Sequence, residues 1–215
     1  AGYNVHILAW DRDCDVYETE EKVKVSNLYI PITRLGHKAT YGEGLKNIKS
    51  YLAFQFHMRK WLRKHKFDVI HACDFDTAFF SISVAKSKAE RFVFDIFDFL
   101  YDTPQGIMQK CVKRIQYRII EQADATIICT EERKKQISGS KPKKLCVIHN
   151  TPFYELASKE EFDLGETNRV KIAYVGILQD YRLLKEVSYV ISRSDVCELH
   201  VGGFGKYQEY FQEMS

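Results

Sequence analysis

Short apolar runs alternate with helical stretches along most of this chain, and that alternation restricts its fold more than any other feature. The strand candidates are 4–9, 27–32, 68–73, 91–96, 125–130, 144–149, 170–176 and 197–202. Most are nearly continuous hydrophobic segments, the pattern of parallel strands buried on both faces. Between them the spacing predicts helices at about 44–65, 76–88, 105–123, 131–138, 179–193 and 205–214. Strand–helix alternation of this kind predicts a parallel sheet covered by helices. With 45% hydrophobic and 28% charged residues, the 215-residue chain is neither disordered nor fibrous. No window holds the roughly 20 apolar residues a membrane span needs.

The chain opens on Ala1-Gly2, the glycine a helix C-cap type of residue followed directly by a strand, so a helix is expected before it. Near the other end, 153–169 reads as a polar, acidic linker after the Thr151-Pro152 stop. The expected division is residues 1–152, a linker at 153–169, and a second domain begun at 170–215. One β-α-β-α unit cannot enclose a core, so that second domain is expected to be truncated. Six scattered cysteines form no CxxC pair. Free thiols of that kind fit a reducing, cytoplasmic compartment.

Several strand ends carry candidate chemistry, because open α/β sheets bind ligands at the carboxyl ends of their strands. Gly176 ends one strand, and Arg182 follows at the start of a helix. A helix N-terminus with an arginine beside it can clamp a diphosphate, though a plain turn with a surface arginine fits the same pattern. Gly202, Gly203 and Gly205 end the next strand and leave room for a nucleotide, but do not spell GxGxxG. In Phe92–Pro104, Asp95, Asp98 and Asp102 lie among aromatics. Asp98 can orient a hydroxyl or move a proton, while Asp102 suits a helix cap. Asp74 and Asp76 lie at another strand end, Asp76 as an N-cap candidate and His71 as a buried strand histidine. No histidine–carboxylate pair has ligand spacing on one helix, so no metal site is expected.

The net charge of +3 is small, but its distribution is uneven. Between Leu45 and Phe67 there are seven Lys or Arg and no acid, with apolar Leu45, Ile48, Leu52 and Phe56 at helical spacing. A second basic helix lies at 107–121. Basic amphipathic helices such as 45–66 and 107–121 can lie on an anionic membrane surface, or simply cover a core with a solvated basic face. No nucleic-acid-binding signature accompanies the charge.

Taken in order, "AGYNVHILAW", "FDVIHACDFDTAFFSISVAK", "FVFDIFDF", "EQADATIICTEERKKQI", "KKLCVIHNTPF", "KIAYVGIL" and "LHVGGFG" resemble the layout of retaining glycosyltransferases of family 4. That resemblance implies the GT-B architecture, an α/β arrangement of two Rossmann-like domains facing across a cleft. The first strand and its glycine-rich loop would then precede residue 1, and the Glu-x7-Glu motif of the donor domain would follow residue 215. It implies an enzyme that passes a sugar from a nucleotide-sugar donor to an acceptor with retention of configuration; a polysaccharide or lipid-linked acceptor is expected, the lipid-linked alternative from the two basic helices. No cofactor or metal is implied. The free thiols and the two basic helices, taken with that resemblance, give a location that is cytoplasmic or peripheral on the inner face of a membrane. Asp98 would be catalytic; Gly176, Arg182, Gly202, Gly203 and Gly205 would meet the donor; and Asp74, Asp95 and Asn150 would lie on the acceptor side. Two departures stand out. Phe97 replaces the histidine of the family's Asp-x-His segment, and Ile177 replaces the basic residue after the donor-loop glycine. They leave open a non-catalytic module of the same fold, or a nucleotide-sugar epimerase.

Overall fold

In the computed structural model, residues 2–25, 27–40, 44–103, 105–151 and 167–214 are described. Most of the expected linker, 153–166, lies outside them. The chain divides into two compact units, Ala1–Pro152 and Phe153–Ser215.

The first unit holds two sheets. One is ordered β1-β3-β2, with β1 at Ile7–Asp11, β2 at Thr19–Val25 and β3 at Leu28–Gly36. Strand β1 runs parallel to β3, and β2 antiparallel to it. The sheet is therefore mixed, where a wholly parallel one was expected. Strand β2 has the sequence TEEKVKV and is exposed along its length. It is held by its ladder with β3 and by an Arg34–Glu21 ion pair of 2.6 Å.

The other sheet is β4 (Phe67–Cys73), β5 (Ala89–Ile96), β6 (Ala125–Ile128) and β7 (Leu145–Val147), paired in that order and all parallel. Helices α1 (Ile48–Lys64), α2 (Asp74–Lys88) and α3 (Ile107–Gln122) pack beside it. Phe92, Phe94 and Ile96 of β5 alternate into one core with Phe54, Met58, Leu62, Ile119 and Ile120 from the helices. The alternate residues Val69, His71 and Cys73 of β4 remain exposed. Strand β4 is thus buried on one face only, where burial on both faces was expected. Among the described residues, β1 and β4 each lie at the edge of their sheet.

The second unit pairs β8 (Val170–Ile177) with β9 (Cys197–Phe204) in parallel, joined by α4 (Leu184–Ile191) and followed by α5 (Gln208–Glu213). Right-handed β-α-β connections favour this arrangement. Residues 131–135 form a 3-10 turn where a longer helix was expected. No described helix is long and apolar enough to cross a membrane.

Candidate active site

Helix α2 begins at Asp74, two residues earlier than the sequence indicates, so Asp76 falls inside the first turn and is not the N-cap. Asp74 itself has a left-handed backbone, with φ of 61°. Aspartate tolerates that region better than most residues because its short side chain can hydrogen-bond nearby. Here the side chain reaches across to the next strand end. Asp74 Oδ1 accepts hydrogen bonds from the backbone N–H of Phe97 and of Asp98, both at 2.9 Å. Burial pushes the Asp74 carboxyl above its usual range, against the two backbone N–H groups that favour its charged form.

The loop after β5 is anchored on a second side. The buried Gln116 side chain of α3 accepts from the Leu100 N–H at 3.1 Å and donates to the Leu100 carbonyl at 2.7 Å. Lys113 donates to the Asp102 carbonyl at 2.6 Å. Asp102 is therefore a partner of Lys113 and not the helix cap; the N-cap of α3 is Gly106. Between these anchors the Asp98 side chain is 87% exposed, and its carboxylate lies 3.5 Å from Arg133. A fixed backbone with a solvent-facing carboxylate suits hydrogen bonding to an entering hydroxyl. The Phe97 ring beside it is exposed and offers no donor or acceptor.

Asp95 alternates with the core residues of β5, and the His71 imidazole meets its carboxylate at 2.9 Å. His71 is exposed, contrary to the buried strand histidine expected from its apolar neighbours. The donor atoms of His71, Cys73 and Asp95 lie within 4.8 Å of one another. The register pairs Cys73 with Asp95 and leaves His71 two residues away on the same face. That grouping crosses two strands, so spacing along one element cannot find it. Partial burial of its sulfur, then the nearby carboxylates of Asp95, Asp74 and Asp76, pushes the Cys73 thiol up to about 11. Asn150 is exposed beyond the end of β7.

In the second unit, β9 runs on to Phe204, so Gly202 and Gly203 are ladder residues and only Gly205 lies past the strand. Gly203 pairs with Gly176. A Cβ on Gly203 would come within 1.9 Å of the Gly176 carbonyl oxygen, so the close strand approach itself requires glycine there. Arg182 is exposed and ends the 3-10 turn Asp180–Arg182 just before α4. Asp180 accepts from Lys206 at 2.8 Å and from the Tyr207 hydroxyl, which ties the two strand-end loops together. Lys185 lies 4.1 Å over the Tyr207 ring. A cavity of about 520 Å³ opens between β9 and the helices, lined by residues including Ser188, Ile191, Leu199 and Phe211. Apart from Gly203 it touches none of the strand-end candidates.

The structure thus brings Asp74, Asp98 and Arg133 together, places Asp95 near the end of β5 against His71 of β4, and groups Gly176, Gly203 and Gly205 in the second unit. Arg133 was not among the sequence candidates. It lies in the run EERKK, and nothing in that run points to a carboxylate 35 positions earlier.

Parallel strand–helix units with polar residues gathered at the carboxyl ends of their strands are Rossmann-like, the building blocks of the GT-B class. Glycosyltransferase Family 4 matches residues 1–151, and the chain belongs to that family. Among solved structures, it is similar to sucrose-phosphate synthase from Thermosynechococcus elongatus, at 14% identity and a TM-score of 0.61, over 93% of this chain and 52% of that one. It is also similar to the catalytic domain of starch synthase IV from Arabidopsis thaliana, solved with ADP and acarbose. There the identity is 15% and the TM-score 0.56, over 99% of this chain and 64% of that one. The chain therefore spans less than two thirds of either structure. No curated protein matches the sequence.

Proposed function

We propose that this chain is part of a nucleotide-sugar-dependent glycosyltransferase that acts with retention of configuration on a polysaccharide or lipid-linked acceptor. The observation that carries the reading is the anchored loop 97–102, which holds the exposed Asp98 carboxylate beside Arg133 at the strand ends of a family member. In this reading the Asp74 clamp fixes the Asp98 backbone, and the Asp98 carboxylate receives an acceptor or donor hydroxyl. Asp74, Asp95 and Asn150 form the acceptor side. In the second unit, Arg182 and the α4 N-terminus stabilise the charge that develops on a departing diphosphate. Gly176, Gly202, Gly203 and Gly205 form the paired strand ends that the donor meets, with Gly203 itself required by the close approach of β8. The donor is a substrate, and no cofactor or metal enters the reaction.

The test uses the intact protein with radiolabelled UDP-, GDP- and dTDP-sugars. Asp98→Asn should lower turnover by about 100-fold or more. Arg182→Gln should raise the donor KM with a smaller effect on kcat. The 215-residue chain alone should give no turnover. Absence of any nucleotide binding by the intact protein would overturn the reading. Phe97 and Ile177 favour a second reading, a non-catalytic module of the same fold. That reading requires binding of a nucleotide sugar without turnover, and indifference to Asp98→Asn.

A further inference from the structure

Helix α1 carries a surface that the transfer chemistry does not use. Leu52, Phe56, Lys60 and Lys64 stand four residues apart, and Gln55, Arg59 and Arg63 form the adjacent row. This spacing stacks each row along one side of the helix. With Phe80 of α2, the two rows line a groove of about 510 Å³. The N-terminal half of the outer row is apolar and open to solvent: Ile48, Leu52 and Phe56 are all exposed, Phe56 by 67%. The C-terminal half is cationic.

Two observations set this groove apart from an ordinary solvated helix face. First, none of Arg59, Lys60, Arg63 or Lys64 pairs with a carboxylate among the described residues. On α3, by contrast, Lys113 is bound to Asp102 and lies over the rings of Phe99 and Tyr117. Second, the groove floor holds a buried polar atom in need of a partner: the Arg59 Nε is buried and has no hydrogen-bond partner among the described residues.

We propose that this face of α1 seats on an anionic phospholipid bilayer, with Leu52 and Phe56 at the headgroup–acyl boundary and Arg59, Lys60, Arg63 and Lys64 on lipid phosphates. Exposed aliphatic and aromatic side chains in register with unpaired cations match the two zones of a bilayer surface. A soluble polyanion would engage the cations and leave Leu52 and Phe56 in water. From Ile48 to Lys64 the surface is about 24 Å long, enough to cover several headgroups. The inference concerns where the protein binds and stands apart from the transfer reaction, so either can fail without the other.

Vesicle flotation of the 215-residue chain tests it, with phosphatidylcholine vesicles compared to 7:3 phosphatidylcholine–phosphatidylglycerol. At low salt, partition onto the anionic vesicles should exceed that onto neutral ones by at least about tenfold and should fall with added salt. The double variant Arg63→Gln/Lys64→Gln should lose about 30-fold. Phe56→Ser should lose about tenfold, with an unchanged far-UV CD spectrum, since the side chain is exposed. Equal partition onto both vesicles, or no response to the double variant, overturns the proposal. So does indifference to Phe56→Ser, or binding to a single-stranded oligonucleotide in place of vesicles with the same dependence on Arg63 and Lys64.

Discussion

Replacing Asp74 by alanine and by asparagine separates what its side chain accepts from what its charge costs. The Asp74 carboxylate takes two backbone hydrogen bonds, from Phe97 and Asp98. A hydrogen bond to a charged acceptor contributes about 1.5–3 kcal/mol, and the partial exposure of Asp74 lowers that. Asp74→Ala removes both bonds and should cost about 2 kcal/mol or more. Asp74→Asn keeps an acceptor oxygen and removes a charge that burial disfavours, so it should cost about 1 kcal/mol or less. The pH dependence follows from the direction of the shift. The folded-state pKa lies above the ordinary value, first because of burial and then through Asp76 and Asp98, with the two N–H groups opposing. The native state therefore holds its proton more tightly than the unfolded chain. The contribution to stability is fully present below the ordinary aspartate range and is lost as pH rises through the folded pKa. Urea unfolding of wild type and Asp74→Asn at pH 3.5 and pH 7 reads this directly. The balance should move toward Asp74→Asn as pH rises. Movement toward wild type over the same interval would refute the burial argument, and equal costs for alanine and asparagine would refute the two hydrogen bonds.

Gly203→Ala should destabilise the second unit by about 2–4 kcal/mol, because its Cβ would meet the Gly176 carbonyl at 1.9 Å on a backbone with φ of 149°. Gly202→Ala, whose Cβ finds Val175 at 3.8 Å, should change stability by about 0.5 kcal/mol or less, and thermal melts of the two variants make the comparison. Phe94→Ala removes a fully buried ring from the first unit and should cost about 3–5 kcal/mol in urea unfolding. Alkylation of Cys73, followed by peptide mass spectrometry, should keep accelerating as pH rises toward about 11, and Asp95→Asn should move that rise to lower pH.

What the sequence made visible was what depends on local periodicity. Apolar runs such as Phe92–Ile96 and Val170–Gly176 announce strands because burial on a pleated face demands a particular residue class. The same logic hides β2, whose Glu20, Glu21, Lys22 and Lys24 give no burial signal because the strand buries nothing; its ladder with β3 and the Arg34–Glu21 pair exist only once the chain has folded back. The site divides in the same way. Asp74 and Asp98 could be nominated singly from their places at strand ends. Their connection through the Phe97 and Asp98 amides, and the approach of Arg133, depend on which strands lie side by side. His71 shows how the reading fails: apolar neighbours imply burial only if both faces of the strand are covered, and on β4 the face that carries His71 is exposed. Gly203 marks the opposite limit. Its pattern invites a phosphate, yet the 1.9 Å approach to Gly176 already requires glycine before any ligand arrives. A glycine-rich strand end is therefore evidence of close backbone approach, and the identity of what approaches has to come from the partner atoms.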